Sequence, residues 1–92
     1  MAEKNENLDE KRKRLYYQSW YRGTKETDLI LGPFAREHLP AMTAAELEAY
    51  HLFLNESDTD IYAWVTGQAA APDFIDAGIL QKLRDFWGSK AA

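Results

Sequence analysis

Trp20 to Leu31 reads WYRGTKETDLIL, and its punctuation sets the class of fold. Gly23 is a helix stop, since a glycine just past a helix end takes a left-handed conformation at little cost. Thr24 follows as an N-cap, and Glu26 and Asp28 fall in the next first turn, where acids complement the helix dipole. Upstream, Leu8, Leu15 and Tyr16 recur at i, i+7 and i+8, with Ser19 and Trp20 on the same side. Downstream, Ile30, Leu31, Phe34, Ala35 and His38 form a second apolar side. The stretch is therefore a corner between two helices. Gly32-Pro33 should kink the second helix, or break it before a short helix ending near His38–Pro40, because Pro33 removes a donor and crowds the preceding turn.

The rest of the chain repeats this grammar. Thr43-Ala44-Ala45-Glu46 is a capping box, followed by Leu47, Tyr50, His51 and Leu54 in an amphipathic stripe that ends at Asn55-Glu56-Ser57. Ser57 or Asp58 caps a fourth helix carrying Ile61, Trp64 and Val65, terminated by Gly67. After a small-residue loop from Gln68 to Pro72, Asp73 starts a fifth helix. Ile79, Leu80, Leu83, Phe86 and Trp87 lie on one side of it, Phe74 reads as core, and Gly88 is the stop. No strand or hairpin signal competes. The expectation is an all-α, small five-helix bundle with short loops, a single helical domain over residues 8–88. It is flanked by a disordered tail over 1–7 and a loose C-terminus over 89–92.

The 92 residues suit one domain. There is no cysteine, which excludes disulfides and thiol chemistry. A hydrophobic fraction of 46% with 13% aromatics supports a folded core. No apolar run reaches the roughly 18 residues of a membrane span, and the charged start MAEKNENLDEKRKR has no apolar signal segment. These features give the expectation of a bacterial cytoplasmic protein without direct membrane insertion. Residues 1–26 carry seven basic and five acidic residues, and residues 27–92 carry four and ten. A chain acidic over most of its length is a poor nucleic-acid binder, and its polarity suits orientation of a protein partner.

Chemistry is sparse. His38 and His51 lack a carboxylate partner at ligand spacing, so no metal site is expected, and His51 reads as a packed core histidine. No nucleophile elbow, phosphate loop or dinucleotide fingerprint occurs. Glu56-Ser57-Asp58-Thr59-Asp60 reads as a cap plus a solvated charge run. Lys11 to Arg14 is a basic turn that is either solvated or docks an acidic surface. Tyr16, Tyr17, Trp20 and Tyr21 wrap around one helix turn, so they cannot all face the core. Exposed Tyr and Trp beside an Arg are what interfaces favour. Arg22-Gly23-Thr24-Lys25-Glu26 thus has two readings: a helix corner in which Arg22 pairs with Glu26, or a docking patch in which Gly23 admits another backbone.

Arg22-Gly23-Thr24-Lys25-Glu26 matches an Arg-Gly-x-x-Glu motif, and with the segments around it the chain resembles the succinate dehydrogenase assembly factors, the SdhE-type flavinylation factors. The resemblance continues through Asp28-Leu29-Ile30-Leu31, Phe34-Ala35-Arg36-Glu37-His38-Leu39, Met42-Thr43 followed by Leu47 and Tyr50, Leu54-Asn55-Glu56, then Asp58, and Asp60-Ile61-Tyr62 with Trp64. It covers about residues 12 to 87. The resemblance implies a chaperone rather than an enzyme. Such a factor binds the flavoprotein subunit of succinate dehydrogenase, and in some bacteria that of fumarate reductase. It promotes covalent attachment of FAD to a histidine of that subunit. The FAD is attached to the partner and not stably held by this chain, which is a monomer when free. Arg22, Gly23 and Glu26 are then the expected partner-binding residues, with Asp28, Trp20 and Tyr21 added by position. Trp20-Tyr21 departs from relatives with shorter or basic residues there. The alternative is a small adaptor or antitoxin-type protein acting through its basic first helix.

Overall fold

The computed structural model describes residues 7–91. Among these the chain forms five α-helices and no strand: α1 (Leu8–Trp20), α2 (Lys25–His38), α3 (Ala44–Phe53), α4 (Asp58–Val65) and α5 (Ala77–Ala91). A single 3-10 turn, Leu39–Ala41, follows α2 directly. The all-α bundle read from the sequence is the architecture observed.

Local signals account for most helix starts. Asn7 accepts from the Glu10 amide at 2.8 Å while the Glu10 carboxylate accepts from the Asn7 amide, a complete capping box. The tail expected over residues 1–7 otherwise lies outside the described residues. Thr24 accepts from the Thr27 amide, Thr43 and Glu46 form the second capping box, and Ser57 caps α4 through the Asp60 amide. Each cap satisfies amides that the helix itself leaves unpaired.

Three expectations about the helices are corrected. Of the kink or break expected at Pro33, the break does not occur: α2 runs unbroken from Lys25 to His38. The preceding Gly32 has no Cβ to collide with the proline ring, and the carbonyl deprived of its partner belongs to Leu29, on the exposed side. Gly32 has a second reason to be bare: a Cβ there would sit 2.4 Å from the Trp20 ring, so the glycine lets α1 and α2 meet through a flat indole. The fifth helix starts at Ala77, not Asp73. Its cap is Asp76, whose Oδ2 accepts from the Ile79 amide at 2.9 Å, so Phe74 lies before the helix and is 72% exposed rather than core. Nor does Gly88 stop α5, which continues to Ala91. Only Gly23 and Gly67 take positive φ among the described residues, and a glycine without that twist merely weakens a helix.

The core collects Leu15 from α1, Ile30, Leu31 and Phe34 from α2, Leu47 and Tyr50 from α3, Ile61 and Trp64 from α4, and Ile79 and Leu83 from α5. At its centre the Phe34 ring lies 4.5 Å from His38 and 5.7 Å from both Tyr50 and Phe86. On α1 the inward residues are Leu15 and Ser19, whereas Leu8 and Tyr16 stay exposed. His51 is half-buried beside α1 instead of in the core, its Nδ1 3.3 Å from the Arg14 guanidinium. Arg84 donates to the Trp64 carbonyl at 2.9 Å, closing the end of α4 against α5.

Candidate functional site

The corner between α1 and α2 is held from beneath by α4. Gly23 turns the chain at φ 140°, a conformation that side chains with a Cβ rarely adopt. The Arg22 amide, left unpaired by the end of α1, donates to Asp28 Oδ1 at 3.0 Å. The Arg22 side chain turns inward. Its Nε donates to Asp58 Oδ1 at 2.5 Å, its Nη1 to the Leu54 carbonyl at 2.8 Å, and its Nη2 to the Glu56 carbonyl at 2.7 Å. Both charged side chains are shielded, 13% and 17% exposed, so the pair is a partly desolvated clamp and not a surface ion pair. It satisfies two carbonyls in the α3–α4 connection and fastens that connection to the corner. A weaker link runs from Thr27 Oγ1 to the Asp58 carbonyl at 3.4 Å.

This arrangement divides the residues singled out from the sequence. Tyr21, 76% exposed, Gly23 and Glu26 face outward. Arg22 and Asp28 are turned into the fold, and Trp20 is half-buried. The Trp20 ring lies on Gly32, has Tyr16 at its edge and carries the Arg36 guanidinium 6.0 Å from its centre. Its indole Nε1 is buried without a hydrogen-bond partner among the described residues. Arg22 therefore does not pair with Glu26, which has no hydrogen bond or ion pair among the described residues. Glu26 instead edges an open groove of about 360 Å3 between α2 and α4, lined by Thr24, Thr27, Asp58, Thr59 and Tyr62.

The pairing of Asp58 with Arg22 is what sequence reasoning missed. The sequence reads Asp58 as a candidate cap within a solvated acidic run, yet it is the anchor of Arg22. The available signal was charge complementarity with Arg22 across 36 residues, which spacing does not reveal. The glycine adds a further correction: since its φ is reserved for glycine and an added Cβ would lie 3.4 Å from Asp58 Oδ2, replacing Gly23 strains the corner as well as blocking approach. Gly23→Arg is thus not a clean probe of docking, because it would strain the corner as well as block it.

The basic turn of α1 is also used internally. Lys11 Nζ lies 2.6 Å from Glu48, Arg12 donates to the Leu39 and Met42 carbonyls, and Arg14 meets His51. These contacts pin α1 to α3 and to the 3-10 turn, leaving Lys13 as the fully outward cation of the four. Among the described residues no three His, Asp or Glu side chains are grouped to hold a metal ion, and no helix is long and apolar enough to cross a membrane.

Fold and corner together describe a small helical protein whose α1–α2 corner is clamped from within by Arg22 and Asp58 and leaves Tyr21, Gly23 and Glu26 exposed. The family described as "flavinator of succinate dehydrogenase" matches residues 13–87. The chain is 49% identical to the succinate dehydrogenase assembly factor 2, mitochondrial, of Candida glabrata, over 94% of this chain and 59% of that protein. It is 46% identical to the protein of that name from Saccharomyces cerevisiae strain S288c, over 94% and 56%. With the Schizosaccharomyces japonicus protein the identity is 44% over 86% and 56%. The chain belongs to the flavinator of succinate dehydrogenase family. It spans between half and three-fifths of the length of these relatives. Their names correct one expectation: close homologues are mitochondrial proteins of fungi, which points to the mitochondrion and not to a bacterial cytoplasm.

Proposed function

We propose that this chain is an assembly factor, not an enzyme, that binds the flavoprotein subunit of succinate dehydrogenase and promotes covalent attachment of FAD to it. The observation that carries this reading is the family match from residue 13 to residue 87, which spans the helices on both sides of the α1–α2 corner. The corner supplies a physical basis. Tyr21, Gly23 and Glu26 are the contact residues, and Arg22, Asp28 and Trp20 hold them in place. FAD resides on the partner, and this chain binds none stably and is monomeric when free. The flavoprotein of fumarate reductase is a second candidate partner.

The factor acts by geometry. Holding mobile parts of the flavoprotein so that the acceptor histidine faces the flavin methyl removes orientational freedom, which alone lowers a barrier by several kcal/mol. The internal use of Lys11, Arg12 and Arg14 argues against an adaptor working through the basic first helix. The test is flavin fluorescence of the flavoprotein in a denaturing gel, after expression alone, with this protein, or with its Glu26→Ala variant. A fluorescent band that needs the intact protein and fades with Glu26→Ala is the expected result. Equal bands in all three lanes would overturn the reading.

A further inference from the structure

Two of the largest exposed apolar side chains, Leu52 at 56% and Phe74 at 72%, stand on one groove. It runs between the end of α3 and the turn before α5 and has a volume of about 660 Å3. Phe53 and Ile75 form part of its lining and are themselves buried in the core, so the groove is backed by rigid packing. Glu56 and Asp73 stand at its rim, and among the described residues no Lys or Arg lines it. The remaining rim acid, Asp76, is already occupied as the α5 cap. Asn55 lines both this groove and the small cleft made by Gln18, Tyr21, Arg22 and Leu54, so the groove adjoins the corner across that residue.

We propose that this groove is a second docking site for the same flavoprotein, taking a short segment with a large apolar side chain flanked by Lys or Arg. Resting on the function proposed above, this extends the contact from the corner along the α3–α4 connection. The chemistry follows from the lining. An apolar side chain seated between Leu52 and Phe74 removes both from water. Cations beside it meet the unpaired carboxylates of Glu56 and Asp73, which favours a basic segment and rejects an acidic one. The corner and groove share the loop that Arg22 clamps, so their relative position is fixed before binding, which spares ordering entropy on association.

The test is titration of the purified succinate dehydrogenase flavoprotein with the full chain and three variants: Leu52→Ser/Phe74→Ser, Asp73→Lys, and Glu26→Ala. The groove side chains are exposed, so the variants should melt like the parent. The expected result is a loss of affinity of about tenfold or more for Leu52→Ser/Phe74→Ser, the size of an interface hot spot. Asp73→Lys should weaken binding most at low salt. If Glu26→Ala weakens binding while both groove variants bind like the parent, the groove proposal is overturned and the assembly function stands. If the groove variants alone weaken it, the groove holds and the corner's role falls. Absence of any binding by the parent chain overturns both.

Discussion

Tyr50 shows how one residue can set a stability profile. It is fully enclosed, and its hydroxyl lies 2.5 Å from Ser19 Oγ, which donates its own proton to the Leu15 carbonyl at 2.8 Å. With the serine proton committed, Tyr50 must be the donor, in a relay from α3 into α1. Burial pushes the phenol well above its ordinary value of 10.0, only partly offset by Ser19 and Arg22. The unfolded chain loses this proton near the ordinary value while the folded chain keeps it. Above about pH 10 the unfolded state therefore binds fewer protons, and stability falls with pH, by about tenfold in the folding constant per pH unit. Tyr50→Phe should cost about 1 kcal/mol near neutrality, where the relay loses one bond, and should flatten the alkaline decline. Urea melts from neutral pH to about pH 11 would read this, and an unchanged alkaline slope would mean that another group governs it. The sequence placed Tyr50 on a core stripe and Ser19 on the inner side of α1. Their bond was not legible, because it joins residues 31 apart.

Among the elements, the starts of α2, α3 and α4 were legible because a cap is a local event: one side-chain oxygen, one amide, three residues apart. The start of α5 was not, since Asp73 and Asp76 are both competent caps. Burial settles the choice: capping at Asp76 puts Ile75, Ile79 and Leu83 in the core. The corner was legible as a turn, but its foundation was not, because Asp58 belongs to an element that sequence links to Arg22 only through charge. The clamp should behave as a coupled unit. Arg22→Ala or Asp58→Ala each strands a shielded charge and should cost about 2–4 kcal/mol, toward the lower end of buried pairs because some solvent reaches both. The double variant should cost less than the two single losses together, by about 1–3 kcal/mol in a double-mutant cycle. Additive losses would mean that the two side chains contribute to the fold independently.

In the whole molecule, 42 × 25 × 24 Å, the Glu26 side chain on the outward face of the corner has no hydrogen bond or ion pair among the described residues. The bundle gathers its core from all five helices, takes up Arg22 and Asp28 in the corner's scaffold, and leaves Tyr21, Gly23 and Glu26 outward. Motif reading could not separate these roles, since it treats neighbouring residues alike, whereas the turn at Gly23 leaves Arg22 directed into the fold and Glu26 outward on the first turn of α2. The separation has a measurable consequence. Glu26→Ala removes a first-turn acid and no other contact, so it should lower stability by no more than about 0.5–1 kcal/mol. Gly23→Ala imposes a side chain at φ 140° and should cost about 1–3 kcal/mol. Both should weaken flavoprotein binding, but for different reasons. At a temperature where each variant is fully folded, Glu26→Ala should retain its affinity deficit undiminished, while part of the Gly23→Ala deficit should disappear on cooling as its corner reforms. Thermal melts paired with binding titrations at two temperatures decide the matter. A Glu26→Ala deficit that vanished with cooling would make this carboxylate a support of the fold and not a contact.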